Sequence, residues 1–164
     1  MIDFDASVAL DTVDPHGSSN KGYLGSKVST GYIPPELLYI DASQNTSVVI
    51  GSSAGPTVSI KSPIEYDNML QQDPPLNPVL ASPHTDMWPL GAILYYLCTG
   101  ETLFLNNDND NTDNKSLLQL YAWTKDFKEE KLLKISDKLA RNLVSRLLNK
   151  DAKKRPLTSA GKYI

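Results

Sequence analysis

The run Asp86-Met87-Trp88-Pro89-Leu90-Gly91-Ala92-Ile93-Leu94-Tyr95-Tyr96-Leu97-Cys98-Thr99-Gly100 constrains the fold more than any other part of the chain. It opens on an acidic residue suited to a helix N-cap and closes on a glycine suited to a left-handed C-cap. Pro89 would fall in the first turn, where its missing N–H costs little. The run predicts a helix over 87–99 with almost no polar face, and a helix of that kind belongs at the centre of a fold. Its apolar part, Pro89 to Cys98, is far shorter than the about 20 residues that cross a bilayer, so it reads as buried rather than membrane-spanning.

Two further helices follow. One begins after Ser116 and carries Leu117, Leu118, Leu120, Tyr121 and Trp123. The other is amphipathic: Leu139, Leu143 and Leu147, flanked by Ala140, Val144 and Leu148, form a stripe spaced by four opposite Lys138, Arg141, Asn142, Ser145 and Arg146. Pro156 ends anything continuous, and Thr158 is placed to cap a last short helix.

The remainder of the chain reads differently. Residues 1–36 are rich in Gly, Ser and Thr without a sustained period, and are expected as loop. Residues 41–85 hold Pro63, Pro74, Pro75, Pro78 and Pro83, with two expected short strands, Val48–Ile50 and Val58–Ile60, around a Gly/Ser turn. In a chain of 164 residues one hydrophobic core is expected, and 40% apolar with 21% charged residues is an ordinary globular composition. A net charge of -3 gives no positive field to attract nucleic acid or anionic lipid, so neither is expected as a partner. The single Cys98 fits a reducing compartment, and the acidic start Met-Ile-Asp-Phe-Asp lacks the basic residues of a secretory signal; an intracellular place, cytoplasm or nucleus, is expected.

Metal chemistry finds little support. An EF-hand loop started at Asp108 puts Asp113 where glycine is required and Gln119 where glutamate is required, and a start at Asp110 fails in the same way. The Asn/Asp tract 106–114 therefore reads as a solvated loop. His16 and His84 have no ligand-type neighbours at zinc spacing. The cations Lys150, Lys153, Lys154 and Arg155 follow a helix, whose C-terminal end favours positive charge without any ligand.

Four segments carry more information in their order than singly: Asp3-Phe4-Asp5, Gly31-Tyr32-Ile33-Pro34-Pro35-Glu36, the Asp86 to Gly100 run, and Leu139 to Val144 leading to Lys153-Lys154-Arg155-Pro156. In that order they resemble the C-terminal lobe of a eukaryotic-type Ser/Thr protein kinase from its DFG motif onward. The resemblance implies a mainly α fold, a kinase-like C-lobe with helices bundled around a buried central helix, a long loop and short-strand insertion, and no N-lobe. It divides the chain into an activation segment (1–36), an insertion (41–85) and a helical core (86–164).

By the same resemblance Asp3 would hold Mg²⁺ and Phe4 would take the hydrophobic DFG position, while Asp5 departs from the expected glycine. Ser29 and Tyr32 would face a protein substrate, with Ser18, Ser19, Ser26 and Thr30 as phosphorylation candidates. Glu36 would form a buried ion pair with Arg155, Asp86 would brace the catalytic loop, and Trp88 would anchor the central helix. ATP and Mg²⁺ are the cofactors expected of a complete kinase, and protein substrates and regulatory proteins its partners. The chain has no Gly-rich phosphate loop, strand lysine with partner glutamate, or His-Arg-Asp loop. No residue in it is assigned as catalytic. It is expected to be inactive alone, a truncated piece of a longer kinase, because a lone Asp3 cannot supply the roughly 8 kcal/mol that modest catalysis demands. Two alternatives stay open: a pseudokinase or degraded lobe acting as a protein-interaction module, and an unrelated helical adaptor. Loss of packing partners predicts exposed apolar surface and poor solubility.

Overall fold

The computed structural model describes residues 11–13, 19–21, 30–40, 58–60, 82–105 and 112–157. These residues are mostly helical. Helix α1 spans Pro83–Thr99, α2 Asn114–Ala122, α3 Lys125–Leu133 and α4 Lys138–Leu147. Three 3-10 turns lie at Thr30–Tyr32, Pro35–Leu37 and Ala152–Lys154. Strands β1 (Asp11–Val13) and β2 (Ser19–Lys21) pair as an antiparallel hairpin inside the region expected as loop. At three residues each, they are too short to show a period of two.

Strand β3 (Leu38–Ile40) pairs antiparallel with β4 (Val58–Ile60) in the register Leu38↔Ile60, Tyr39↔Ser59, Ile40↔Val58. The partner expected for Val58–Ile60 was Val48–Ile50, which lies outside the described residues; the described partner continues directly from the Pro35–Leu37 turn. Leu38 and Val58 are both buried, and the Val58 N–H donates to Asn114 Oδ1 at 3.1 Å, tying the sheet to α2.

Helix α1 begins four residues earlier than the sequence suggests. Ser82, not Asp86, is the N-cap: its hydroxyl accepts from the His84 N–H, and Pro83 takes the first helical position, where proline is preorganised. Pro89 consequently lies inside the helix and removes one ladder bond instead of falling in the first turn. The C-terminal end is as expected: Gly100 adopts φ 73°, and its N–H bonds the Tyr96 carbonyl at 2.7 Å.

Helix α2 starts at Asn114, capped by the Asp113 carboxylate on the Ser116 N–H at 2.6 Å. It stops at Ala122, so Trp123 is its C-cap, not part of its body, with φ 34°. A tryptophan there is held by its side chain: the indole N–H donates to the Leu148 carbonyl at 2.9 Å. Helix α3, capped by Thr124, has no counterpart in the sequence reading. Helix α4 is capped by Asp137 and buries Val144 and Leu147, with Leu148 following. Leu139, expected on the buried stripe, is 83% exposed, while its neighbour Ala140 packs against the core.

The core forms where α1 crosses α4. A Cβ on Gly91 would fall 2.9 Å from both Leu147 Cβ and Leu148 Cδ2, so only glycine lets the helices approach this closely. Beside the crossing, Trp88 meets Trp123 edge-on at 5.1 Å between centroids, and Phe104 and Phe127 extend the aromatic cluster. Trp88 and Tyr95 are 1% and 0% exposed. The opposite side of α1 is not enclosed by the described residues: Leu90, Ile93, Tyr96 and Leu97 are 42%, 45%, 48% and 70% exposed, and Cys98 is exposed too. The expected wholly buried helix is therefore buried on one face, with a second apolar face open. No helix of the described residues is long and apolar enough to cross a membrane.

Candidate functional site

Local chemistry brings Glu36 and Arg155 together from opposite ends of the chain. Pro34 is extended, and Pro35 fixes φ for the 3-10 turn that carries Glu36 in its first turn. At the far end, α4 stops at Leu147, and the Asp151 carboxylate accepts from the Lys153 N–H to start the turn that delivers Arg155. Arg155 Nη1 and Nη2 donate to Glu36 Oε1 and Oε2, each at 2.7 Å, in the fork geometry that suits guanidinium and carboxylate. Three carbonyls take the other N–H groups: His84 on Nη1 at 3.1 Å, Lys150 on Nη2 at 3.4 Å and Asn149 on Nε at 2.8 Å.

The Arg155 side chain is fully buried, the Glu36 side chain 19% exposed, and the guanidinium lies 5.3 Å from the Trp88 ring. All five donors of the guanidinium are thus engaged, and none remains for a ligand. What this arrangement does is mechanical. It pins the turn bearing Glu36 onto the first turn of α1 and onto the segment after α4, with Trp88 beneath.

Of the other expected residues, Tyr32 is half-buried and packs against the core from the Thr30–Tyr32 turn. Ile33 and Pro34 after it are completely buried, so the segment leading to Glu36 is fixed rather than loose. Asp86 is exposed in the first turn of α1, and the capping role expected of it belongs to Ser82. Asp3, Phe4, Ser29 and the phosphorylation candidates Ser18 and Ser26 lie outside the described residues, and Ser19 and Thr30 are placed by backbone only. Among the described residues, no group of three His, Cys, Asp or Glu gathers to hold a metal ion. The carbonyls of His84, Asn149 and Lys150 escaped sequence reasoning because a backbone acceptor carries no residue-type signal.

A second charged cluster sits at the other end of α1. Lys134 Nζ bonds Glu101 Oε2 at 2.5 Å in the open, with side chains 45% and 57% exposed. The bond holds the Glu101 carboxyl below its usual range and raises the Lys134 amine. Beside it the Tyr95 hydroxyl is buried without a hydrogen-bond partner, and burial pushes its phenol up. On α3, burial lowers the Lys128 and Lys131 amines; Lys128 donates to the Ser145 carbonyl and Lys131 stands 5.4 Å over the Phe127 ring.

Comparison with known proteins agrees with this geometry. Residues 76–161, more than half of the chain, match the family model of the protein kinase domain. The chain is also similar to smooth muscle myosin light chain kinase of Gallus gallus, 39% identical over 71 residues that make up 43% of this chain and 4% of that protein. It therefore spans a small part of the length of that relative. The α1–α4 crossing at Gly91 and Arg155 fall within the matched residues, with Glu36 joining from before them, and the chain belongs to the protein kinase domain family.

Proposed function

We propose that this chain supplies the C-lobe of a Ser/Thr kinase domain that transfers phosphate from ATP to protein serine or threonine, and that it is inactive alone. The observation that carries the reading is the Glu36–Arg155 clasp, which holds the turn from Thr30 to Tyr32 and the residues up to Glu36 beside α1. Protein kinases use ATP with Mg²⁺. Asp3 offers the hard carboxylate oxygen that Mg²⁺ prefers, and the nucleotide cradle must come from groups this sequence does not contain. The open apolar face of α1, with Leu97 at 70% exposure, supports the same reading, since a face of this kind is buried in a finished domain.

A second reading is favoured by Asp5, which stands where the DFG motif has glycine: a pseudokinase lobe used for protein contacts. A chimaera separates the two. A Ser/Thr kinase N-lobe and catalytic loop fused ahead of Asp3 is expected to phosphorylate a serine peptide with Mg-ATP and to lose this with Asp3→Asn. A folded chimaera that binds no Mg-ATP supports the pseudokinase reading. Calorimetry of the 164-residue chain with Mg-ATP is expected to show no micromolar binding; such binding would contradict an incomplete nucleotide site.

A further inference from the structure

The cleft between α3 and α4 combines an apolar wall with two cations, Lys138 and Arg141, that form no ion pair among the described residues. It has a volume of about 390 Å³; Leu132 and Leu133 line its apolar wall, Lys138, Arg141, Asn142 and Ser145 its α4 side, and the Glu129 carboxylate also reaches it. Leu132 is buried in the core, whereas Leu133 is 70% exposed and forms the open edge. Leu139, 83% exposed, lies one turn before Asn142 on the same helix and extends the apolar surface. Leu133 in water at the edge of the cleft, with Leu139 exposed on the helix beside it, is a cost that a partner would remove.

The charges show what kind of partner. Arg141 directs Nε and Nη2 at the Ile135 carbonyl, a neutral acceptor, which leaves Nη1 free and the charge uncompensated. Among the described residues Lys138 has no ion-pair partner. Lys128 donates to the Ser145 carbonyl and feels the Glu129 carboxylate, so it adds no uncompensated charge here. Of the carboxylates, Glu129 lines the cleft and turns towards Lys125 at 3.7 Å in an exposed pair, and Asp137 caps α4 on the Ala140 N–H. Two cations, Lys138 and Arg141, thus face the apolar cleft against the single carboxylate of Glu129, leaving it locally positive in a chain whose net charge is -3.

We infer that the α3–α4 cleft docks an acidic, leucine-bearing segment of a partner protein, its aliphatic side chain against Leu132 and Leu133 and its carboxylates on Lys138 and Arg141. A polyanion without apolar groups matches only the charges and leaves Leu133 in water, which favours a peptide over a nucleic acid. This surface is separate from the Glu36–Arg155 clasp and does not depend on the phosphoryl-transfer reading.

The probe is a fluorescein-labelled peptide with two leucines flanked on each side by two glutamates, titrated with the full chain and read by fluorescence anisotropy. Three comparison ligands have lysine for glutamate, alanine for leucine, or are polyuridylate RNA. Saturable binding of the acidic leucine peptide is expected. It should weaken at least about tenfold in Lys138→Glu, about tenfold in Leu133→Asp, and several-fold on raising salt from about 0.05 to 0.5 M. Both substituted side chains are exposed, so the melting profile should not change. No binding of the acidic peptide, equal binding of the lysine or alanine peptide, tighter binding of the RNA, or indifference to both substitutions in a folded protein overturns the inference.

Discussion

Helix α1 carries an ion pair near each end, and the two pairs have nearly the same length but opposite significance. At its N-terminal end Arg155 and Glu36 meet at 2.7 Å, 119 residues apart in sequence, with the guanidinium fully buried and carbonyls on its remaining donors. At its C-terminal end Lys134 and Glu101 meet at 2.5 Å, 33 residues apart, with both side chains about half exposed. Distance alone would rank the second as stronger. Burial reverses the order: a charge with no water around it depends wholly on its partner, whereas an exposed one is rehydrated when the partner leaves.

The largest effect should come from Arg155→Ala. It leaves Glu36 facing the Trp88 region without its counter-charge, and a loss of about 3 to 5 kcal/mol in urea denaturation is expected. Arg155→Lys should rescue little, because one ammonium cannot reproduce the fork. If the lysine variant is as stable as the parent, geometry does not matter at this site and the contrast between the two pairs disappears.

Between the two ends, Gly91→Ala tests whether α1 is seated as tightly as the clasp implies. Its Cβ would meet Leu147 and Leu148 at 2.9 Å, and a loss of about 1 to 3 kcal/mol is expected in the same denaturation assay. A neutral result would mean that α4 gives way freely. On the open face of α1, Ile93→Ser with Leu97→Ser should change stability by no more than about 0.5 kcal/mol each while lowering the fluorescence of a dye that binds exposed apolar surface. Unchanged fluorescence, or a large loss of stability, would show that this face is already covered.

The smallest effect belongs to the exposed pair. Lys134 holds the Glu101 carboxyl below its ordinary 4.5, so that contribution is present above the carboxylate range and is lost as pH falls through the depressed value. The Lys134 amine is raised above its ordinary 10.5, so its share is present below that and is lost as pH rises through the raised value. Glu101→Gln should flatten both arms of a melting-temperature profile by an amount that vanishes at high salt. A salt-resistant difference would place this pair with the buried one.

The same contrast explains what was legible in the sequence. Trp88 and Gly100 could be read from residue type, a large ring in an apolar run and a left-handed cap, whereas the Glu36–Arg155 pair, 119 residues apart, was legible only through the resemblance to the kinase family. The start of α1 was misread because Ser82 and Asp86 are both competent caps, and the proline that decides between them, Pro83, had been counted with the insertion. Helix α3 was missed because only Leu132 among its residues is buried, so its charged run shows no apolar period. The burial of one face of α1 and the exposure of the other could not be told apart, since Tyr95 and Tyr96, side by side, are 0% and 48% exposed. Composition sets the apolarity of a helix; its neighbours decide which side meets water.

The most direct test is a double-mutant cycle on Glu36→Gln and Arg155→Met by equilibrium urea denaturation. The account predicts that each single variant is strongly destabilised and that the double variant recovers much of the loss, a coupling of about 2 kcal/mol or more. Additive losses, with coupling near zero, would contradict the claim that this buried pair holds the domain together.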